Sequence, residues 1–189
     1  MKLTERFENA LIYAVRLHAK QLRKGTHVPY TAHLLSVTAL VLENGGDEDQ
    51  AIAGLLHDAV EDQGGLPRLE EIRKLFGERV SFIVDGCTDA YNFPKAPWQQ
   101  RKELYLNRLQ SVPPEVRLVS LADKVHNARS LLASLHHEGD SAWSRFNGGK
   151  SGTLWYYKNL VQVFQQTGQD YLTRELTKVV SEIESWVDK

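Results

Sequence analysis

The chain has 189 residues, 42% of them hydrophobic and 25% charged, which suits one folded domain with a substantial core. Its 23 basic and 24 acidic residues leave a formal charge of −1, so the basic excess that marks non-specific nucleic-acid binding is absent. A single cysteine, Cys87, excludes an internal disulfide and a thiolate metal cage, and no run approaches the roughly 18 apolar residues that span a bilayer.

Helical spacing recurs along the whole chain. Phe7, Ala10, Leu11, Ala14, Leu17, His18 and Gln21 fall on one stripe, with Thr4 as the expected N-cap. Gly25 and Pro29 interrupt it. A second helix is expected over 32–42, stopped by Gly45-Gly46. Asp47 or Asp49 should cap a third that runs through Val60 and closes at residues 64–67 (GGLP). Shorter helices are expected over 67–76 and 78–88, separated by Gly77, and residues 92–97 read as a loop. A helix over 98–109 follows, then one opened by Pro113-Pro114 and reaching about residue 135. Residues 147–152 (NGGKSG) read as a flexible loop before final helices over 153–166 and 170–187. Repeats, low-complexity tracts and long linkers are missing. The expectation is an all-α bundle of about eight to ten helices, forming a single domain over 1–189. Its motif-bearing core covers about 4–135, and its C-terminal helices cover about 140–188.

The third helix carries the unusual chemistry. In Leu55-Leu56-His57-Asp58-Ala59-Val60-Glu61-Asp62, ionisable groups emerge from an apolar segment, with Asp58 one turn from Glu61 and Asp62. Charges in such a setting must be paired, hydrogen-bonded or bound to metal. On its own, a His-Asp dipeptide is also what a packed core histidine beside a salt-bridged acid looks like. Two further elements bear on the choice. His33 opens an apolar helix after Pro29-Tyr30, and Asp123 interrupts another apolar helix with Asn127 one turn beyond. Two imidazoles and two carboxylates form a mixed nitrogen and oxygen set suited to Mn²⁺, Fe²⁺, Ni²⁺ or Zn²⁺, with positions left for water and a phosphate oxygen.

In order and spacing, His33, His57-Asp58 and Asp123 resemble the HD-domain phosphohydrolases. Residues 19–33 (AKQLRKGTHVPYTAH), 54–62 (GLLHDAVED) and 121–130 (LADKVHNARS) narrow the resemblance. They are similar to the hydrolase domain of RelA/SpoT-type alarmone enzymes and to the small alarmone hydrolases. The segment RFNGGKSGTLWYY looks like the stand-alone branch, with no synthetase domain attached. The resemblance implies a metal, usually Mn²⁺, on His33, His57, Asp58 and Asp123, with Glu61 and Asp62 as the catalytic pair that works on the attacking water. It implies substrate contacts from Arg23, Lys24, Asn127, Ser130 and, by a looser match, Tyr156. The implied reaction is hydrolysis of the 3′-pyrophosphate of guanosine tetra- or pentaphosphate. A nucleotidase, phosphodiesterase or NADPH phosphatase of the same family is the alternative, and a non-catalytic nucleotide sensor is the second. The expected partner is a small purine nucleotide polyphosphate, not nucleic acid or membrane, in a cytoplasmic setting; homo-oligomerisation is left open. The chain departs from the usual pattern in one extra residue between Lys24 and His33, and in Leu34 where proline is common.

Smaller features read as structural. His18 is expected to be a hydrogen-bonded core histidine, and His126 a packing or supporting residue. Trp98, Trp143, Trp155 and Trp186 fit core or interface positions. Residues 148–152 (GGKSG) lack the spacing and preceding strand of a P-loop.

Overall fold

The computed structural model describes residues 2–91 and 94–187. Ten α-helices follow one another in chain order, with one 3₁₀ helix and no strand among the described residues. Helix α1 (Glu5–Leu17) begins where the Thr4 hydroxyl accepts the Arg6 N–H, with Glu5 and Glu8 in the first turn and Arg16 in the last, as the helix dipole favours. After α1 the chain folds back on itself, held by an isolated antiparallel bridge between Leu22 and Pro29. Helix α2 (Thr31–Glu43) buries His33, Leu34, Val37, Thr38, Leu40 and Val41. Helix α3 (Glu48–Leu56) starts from a complete capping box between Asp47 and Gln50, and it packs extensively on α2.

The expected third helix through Val60 is in fact broken. Helix α3 ends at Leu56 and a short α4 (Ala59–Gln63) resumes after His57-Asp58. Leu55, Leu56, Ala59 and Val60 are all fully buried, so the apolar pattern runs straight across the break and conceals it. The expected stop at 64–67 is likewise the start of α5 (Gly65–Phe76). Gly65 has φ +63°, and a Cβ there would collide with the Tyr91 carbonyl oxygen, so the residue must be glycine. Helix α6 (Glu78–Cys87) follows Gly77. Residues 92 and 93 of the expected loop lie outside the described residues, while 94–97 are non-helical.

Helix α7 (Trp98–Leu109) spans the expected residues, and α8 (Pro114–Glu138) is the long helix opened by the proline pair. A 3₁₀ helix (Gly139–Arg145) that composition did not announce comes next. Residues 147–152 are not a flexible loop: α9 (Gly149–Thr167) already begins inside them. A Cβ on Gly148 would lie 2.7 Å from the Trp98 ring and one on Gly152 3.2 Å from it, so these two glycines admit the indole. Helix α10 (Tyr171–Val187) is capped by Asp170, whose Oδ1 accepts the Thr173 N–H at 2.8 Å.

The chain gathers into two compact units. One comprises Met1–Lys95 with Val112–Ala122, the other Ala96–Ser111 with Asp123–Lys189. Within the first, Ile52, Leu55, Leu56, Ile72 and Ile83 form a fully buried core. Within the second, Leu131, Leu135, Leu160, Phe164 and Leu176 do the same. No helix among the described residues is long and apolar enough to cross a membrane.

Candidate metal centre

Three ligand-type side chains converge in the first unit. His33, on the first turn of α2, and His57, at the end of α3, are both buried, and their Nε2 atoms lie 3.2 Å apart. Asp58 Oδ2 lies 2.9 Å from His57 Nε2 and 3.3 Å from His33 Nε2. One ligand atom from each of the three falls within 4.8 Å of the others. The helix break places His57 and Asp58 on consecutive residues of the same junction, and the packing of α2 on α3 carries His33 to them.

Hydrogen bonding prepares the donors. His57 Nδ1 lies 2.9 Å from the Gly54 carbonyl oxygen, which can only accept, so Nδ1 carries the proton and the Nε2 lone pair faces the cluster. The Tyr30 hydroxyl donates to Asp58 Oδ2 at 2.6 Å. Burial, then the Asp58 charge, hold that phenol above its usual pKa, so it stays a donor. Imidazole nitrogens and a carboxylate oxygen brought this close in a largely buried pocket form a donor set of the kind that holds a divalent cation. The residues present therefore fit a divalent metal.

Beside this cluster sit the two acids of α4. Glu61 Oε1 accepts from Lys95 Nζ at 2.7 Å, and the same ammonium lies 3.5 Å from Asp62 Oδ1. Burial is the main cause that pushes the Glu61 carboxyl up to about 7; the charge and hydrogen bond of Asp89 add to it, and Lys95 opposes it. A carboxyl held up in this way suits a group that takes up and gives back a proton near neutral pH. Asp62 Oδ2 accepts from the Gln21 side-chain amide at 2.8 Å. Neither Asp89 nor Lys95 was read as functional from the sequence. Each belongs to the segment after α6, whose path no periodicity reveals.

The basic pair of the fold-back segment is split. Arg23 is half-buried with its guanidinium 5.6 Å from the centre of the Tyr30 ring, whereas Lys24 is exposed. His18 is buried and stacks on the other aromatic neighbour of the cluster, with ring centres 5.3 Å from Tyr30 and planes 15° apart.

Comparison with known proteins fits this arrangement. A family model described as an HD domain matches residues 10–153. The chain belongs to the HD-domain family. A probable guanosine-3′,5′-bis(diphosphate) 3′-pyrophosphohydrolase of Synechocystis is 38% identical over 128 residues, covering 66% of this HD-domain chain and 16% of that relative. The pyrophosphohydrolase MESH1 of Xenopus tropicalis is 38% identical over 122 residues, covering 63% of this chain and 65% of the relative. The chain thus spans about a sixth of the first and about two thirds of the second. A solved structure described as a metazoan orthologue of SpoT that hydrolyses ppGpp matches with a TM-score of 0.81 at 26% identity. That match covers 97% of this chain and 98% of the other.

The remaining sequence-predicted residues of the HD domain belong to the second unit. Asp123 is buried, with Lys124 Nζ on its Oδ2 and the Asn127 amide donating to its Oδ1, so the one-turn spacing of Asp123 and Asn127 is realised as a direct contact. Lys124 retains only 13% of its side-chain exposure and lies 4.8 Å from the centre of the Tyr105 ring. Burial works against its charge, but Asp123, Tyr105 and Tyr156 outweigh that and raise its pKa. Lys124 carries no role expected from the sequence, where a cation inside an apolar helix next to an acid is the available signal. The Ser130 hydroxyl donates to the His126 carbonyl at 2.9 Å. Tyr156 is buried beneath Lys102, whose ammonium sits 5.1 Å from the ring centre, and edge-on to Trp98 at 6.1 Å.

Proposed function

We propose that this chain is a metal-dependent hydrolase of the 3′-pyrophosphate of guanosine tetra- or pentaphosphate, releasing pyrophosphate and leaving GDP or GTP. The observation that carries the reading is the convergence of His33, His57 and Asp58 beside a glutamate whose carboxyl titrates near 7. We take 1–189 as one HD-type hydrolase domain, because the family match over 10–153 runs through both compact units. The pyrophosphohydrolase names of its relatives supply the substrate. A single cysteine and a nucleotide substrate suit a cytoplasmic setting.

His33, His57, Asp58 and Asp123 would hold the metal, with Mn²⁺ as the expected ion; bound there, it supplies a lowered pKa for a coordinated water and charge neutralisation for a phosphate oxygen. Glu61 takes the proton that the attacking water gives up as its oxygen bonds to phosphorus. The bond between phosphorus and the 3′-oxygen breaks, and that oxygen takes up the proton that Glu61 received, which restores the carboxylate. Asp62 shares the Lys95 ammonium with Glu61 and helps to orient the water. Arg23 and Lys24 bind phosphate oxygens, the first as a planar fork and the second as a point charge. Asn127, Ser130 and Tyr156 contact the nucleotide.

Incubating the purified protein with Mn²⁺ and guanosine tetraphosphate, then resolving products by anion-exchange chromatography, tests the reading. Equal amounts of GDP and pyrophosphate are expected. Cleavage of a deoxynucleoside monophosphate, a cyclic nucleotide or the NADPH 2′-phosphate in place of the tetraphosphate overturns the substrate. Binding with no product overturns the enzyme. Glu61→Ala should abolish turnover while elemental analysis finds the metal retained.

A further inference from the structure

Gln21 lies outside every role assigned so far, yet three polar side chains meet at its amide. Its Nε2 is 2.8 Å from Asp62 Oδ2, and its Oε1 is 2.8 Å from His18 Nδ1 and 2.6 Å from Gln63 Nε2. The chemistry of the partners fixes which end is which. A carboxylate only accepts, so nitrogen must face Asp62. The oxygen then faces His18 and Gln63, and both must donate to it. His18 therefore carries its proton on Nδ1. Its imidazole is buried and stacked on Tyr30, so it cannot swing away, and burial lowers its pKa, which favours the neutral ring.

We propose that Gln21 is a positioning residue for Asp62: two donors lock its carboxamide, which then holds one carboxylate oxygen while Lys95 attends the other. The inference rests on the hydrolase reading, in which Asp62 orients the attacking water. The two contacts on Asp62 come from opposite directions along the chain, Gln21 from the segment after α1 and Lys95 from the segment before α7. With both in place the carboxylate has one orientation; without the amide it is free to rotate toward the ammonium. His18 does double duty, because the Tyr30 ring it stacks on carries the hydroxyl that donates to the metal-ligand candidate Asp58. The same small network thus steadies one acid of the pair and one ligand of the cluster.

The test is Gln21→Glu, which keeps size and removes the donor. The groups facing position 21 are Asp62, His18 and Gln63, with the cations Arg16 and Lys20 lining the same open pocket, and those facing Asp62 include Gln21 and Lys95. Near pH 8 the new carboxylate opposes Asp62, and kcat should fall about 10- to 100-fold with KM within about twofold and metal content unchanged. On acidification the two carboxylates share a proton and donation to Asp62 returns, so the ratio of variant to wild-type kcat should rise as pH falls. A flat ratio across the pH range, or a change in KM alone, overturns the proposal. A second readout does not need turnover. Wild-type protein should show a slowly exchanging imidazole N–H from His18 in proton–nitrogen spectra, lost in Gln21→Leu while the fold is kept. Failure of wild type to hydrolyse any phosphorylated nucleotide sinks the function, whereas failure to see that N–H sinks the network.

Discussion

The most direct handle on the proposed chemistry is the ammonium that flanks Glu61. A base that titrates near 7 is half ionised at that pH and about one-tenth ionised one unit below it, so kcat/KM of the wild type should fall with a single-proton dependence on the acid side. Lys95→Met removes a charge-assisted hydrogen bond of 2.7 Å. Such bonds are worth about 1.5–3 kcal/mol, and 1.36 kcal/mol corresponds to one pH unit, so loss of the ammonium moves the midpoint by about 1–2 units. The side chains of Lys95 and Glu61 are 29% and 22% exposed, which brings the shift to the lower end, about one unit. The sign follows from the charge: losing a cation disfavours the carboxylate, so the midpoint rises from about 7 to about 8. At neutral pH the variant should be slower by about fivefold, and near pH 9 it should approach wild type. Initial rates of pyrophosphate release at subsaturating substrate, over a pH series in Mn²⁺, measure this. A midpoint that stays put or moves down, or a loss equal at all pH values, refutes the reasoning.

Other outcomes follow from the same geometry. His57→Ala and Asp58→Ala should each lower bound metal in elemental analysis, together with activity; full metal occupancy in either would remove it from the ligand set. Asp123→Ala leaves Lys124 buried without its carboxylate and should cost about 3–5 kcal/mol in urea unfolding with chelator present, while Asp123→Ala with Lys124→Met should recover at least half. Equal losses in the single and double variants would show that the ion pair is not what matters. Gly148→Ala forces a methyl against the Trp98 ring and should destabilise by about 1–3 kcal/mol; an unchanged melting temperature would mean that the indole moves aside easily.

Much of the fold was legible because its punctuation is local. Thr4, Asp47 and the proline pair that opens α8 act within one turn, and the helices begin where they say; that Asp47 forms a full box with Gln50 came from the structure. The break at His57-Asp58 was not legible, because both residues keep near-helical dihedrals and their apolar neighbours stay buried on either side. Nor was the early start of α9, where glycines normally argue against a helix. The reason for Gly148 and Gly152, the ring of Trp98, lies some fifty residues away in the chain. At the site, the imidazoles and the acid between them could be read from residue type and order. The proton affinity of Glu61 could not, since Asp89 and Lys95 approach it along a path that no repeating pattern specifies.

The end of α3 has one more implication. Gly54 lies in the last turn of that helix, where carbonyl groups outlast the backbone donors available to them, and the His57 ring borrows one of these to settle its own tautomer. Terminating the helix and readying a ligand are therefore one event. Substitutions that lengthened α3 through residue 58 and gave the Gly54 carbonyl a backbone donor would leave every candidate ligand in the sequence and still release the His57 ring from the contact that sets its tautomer.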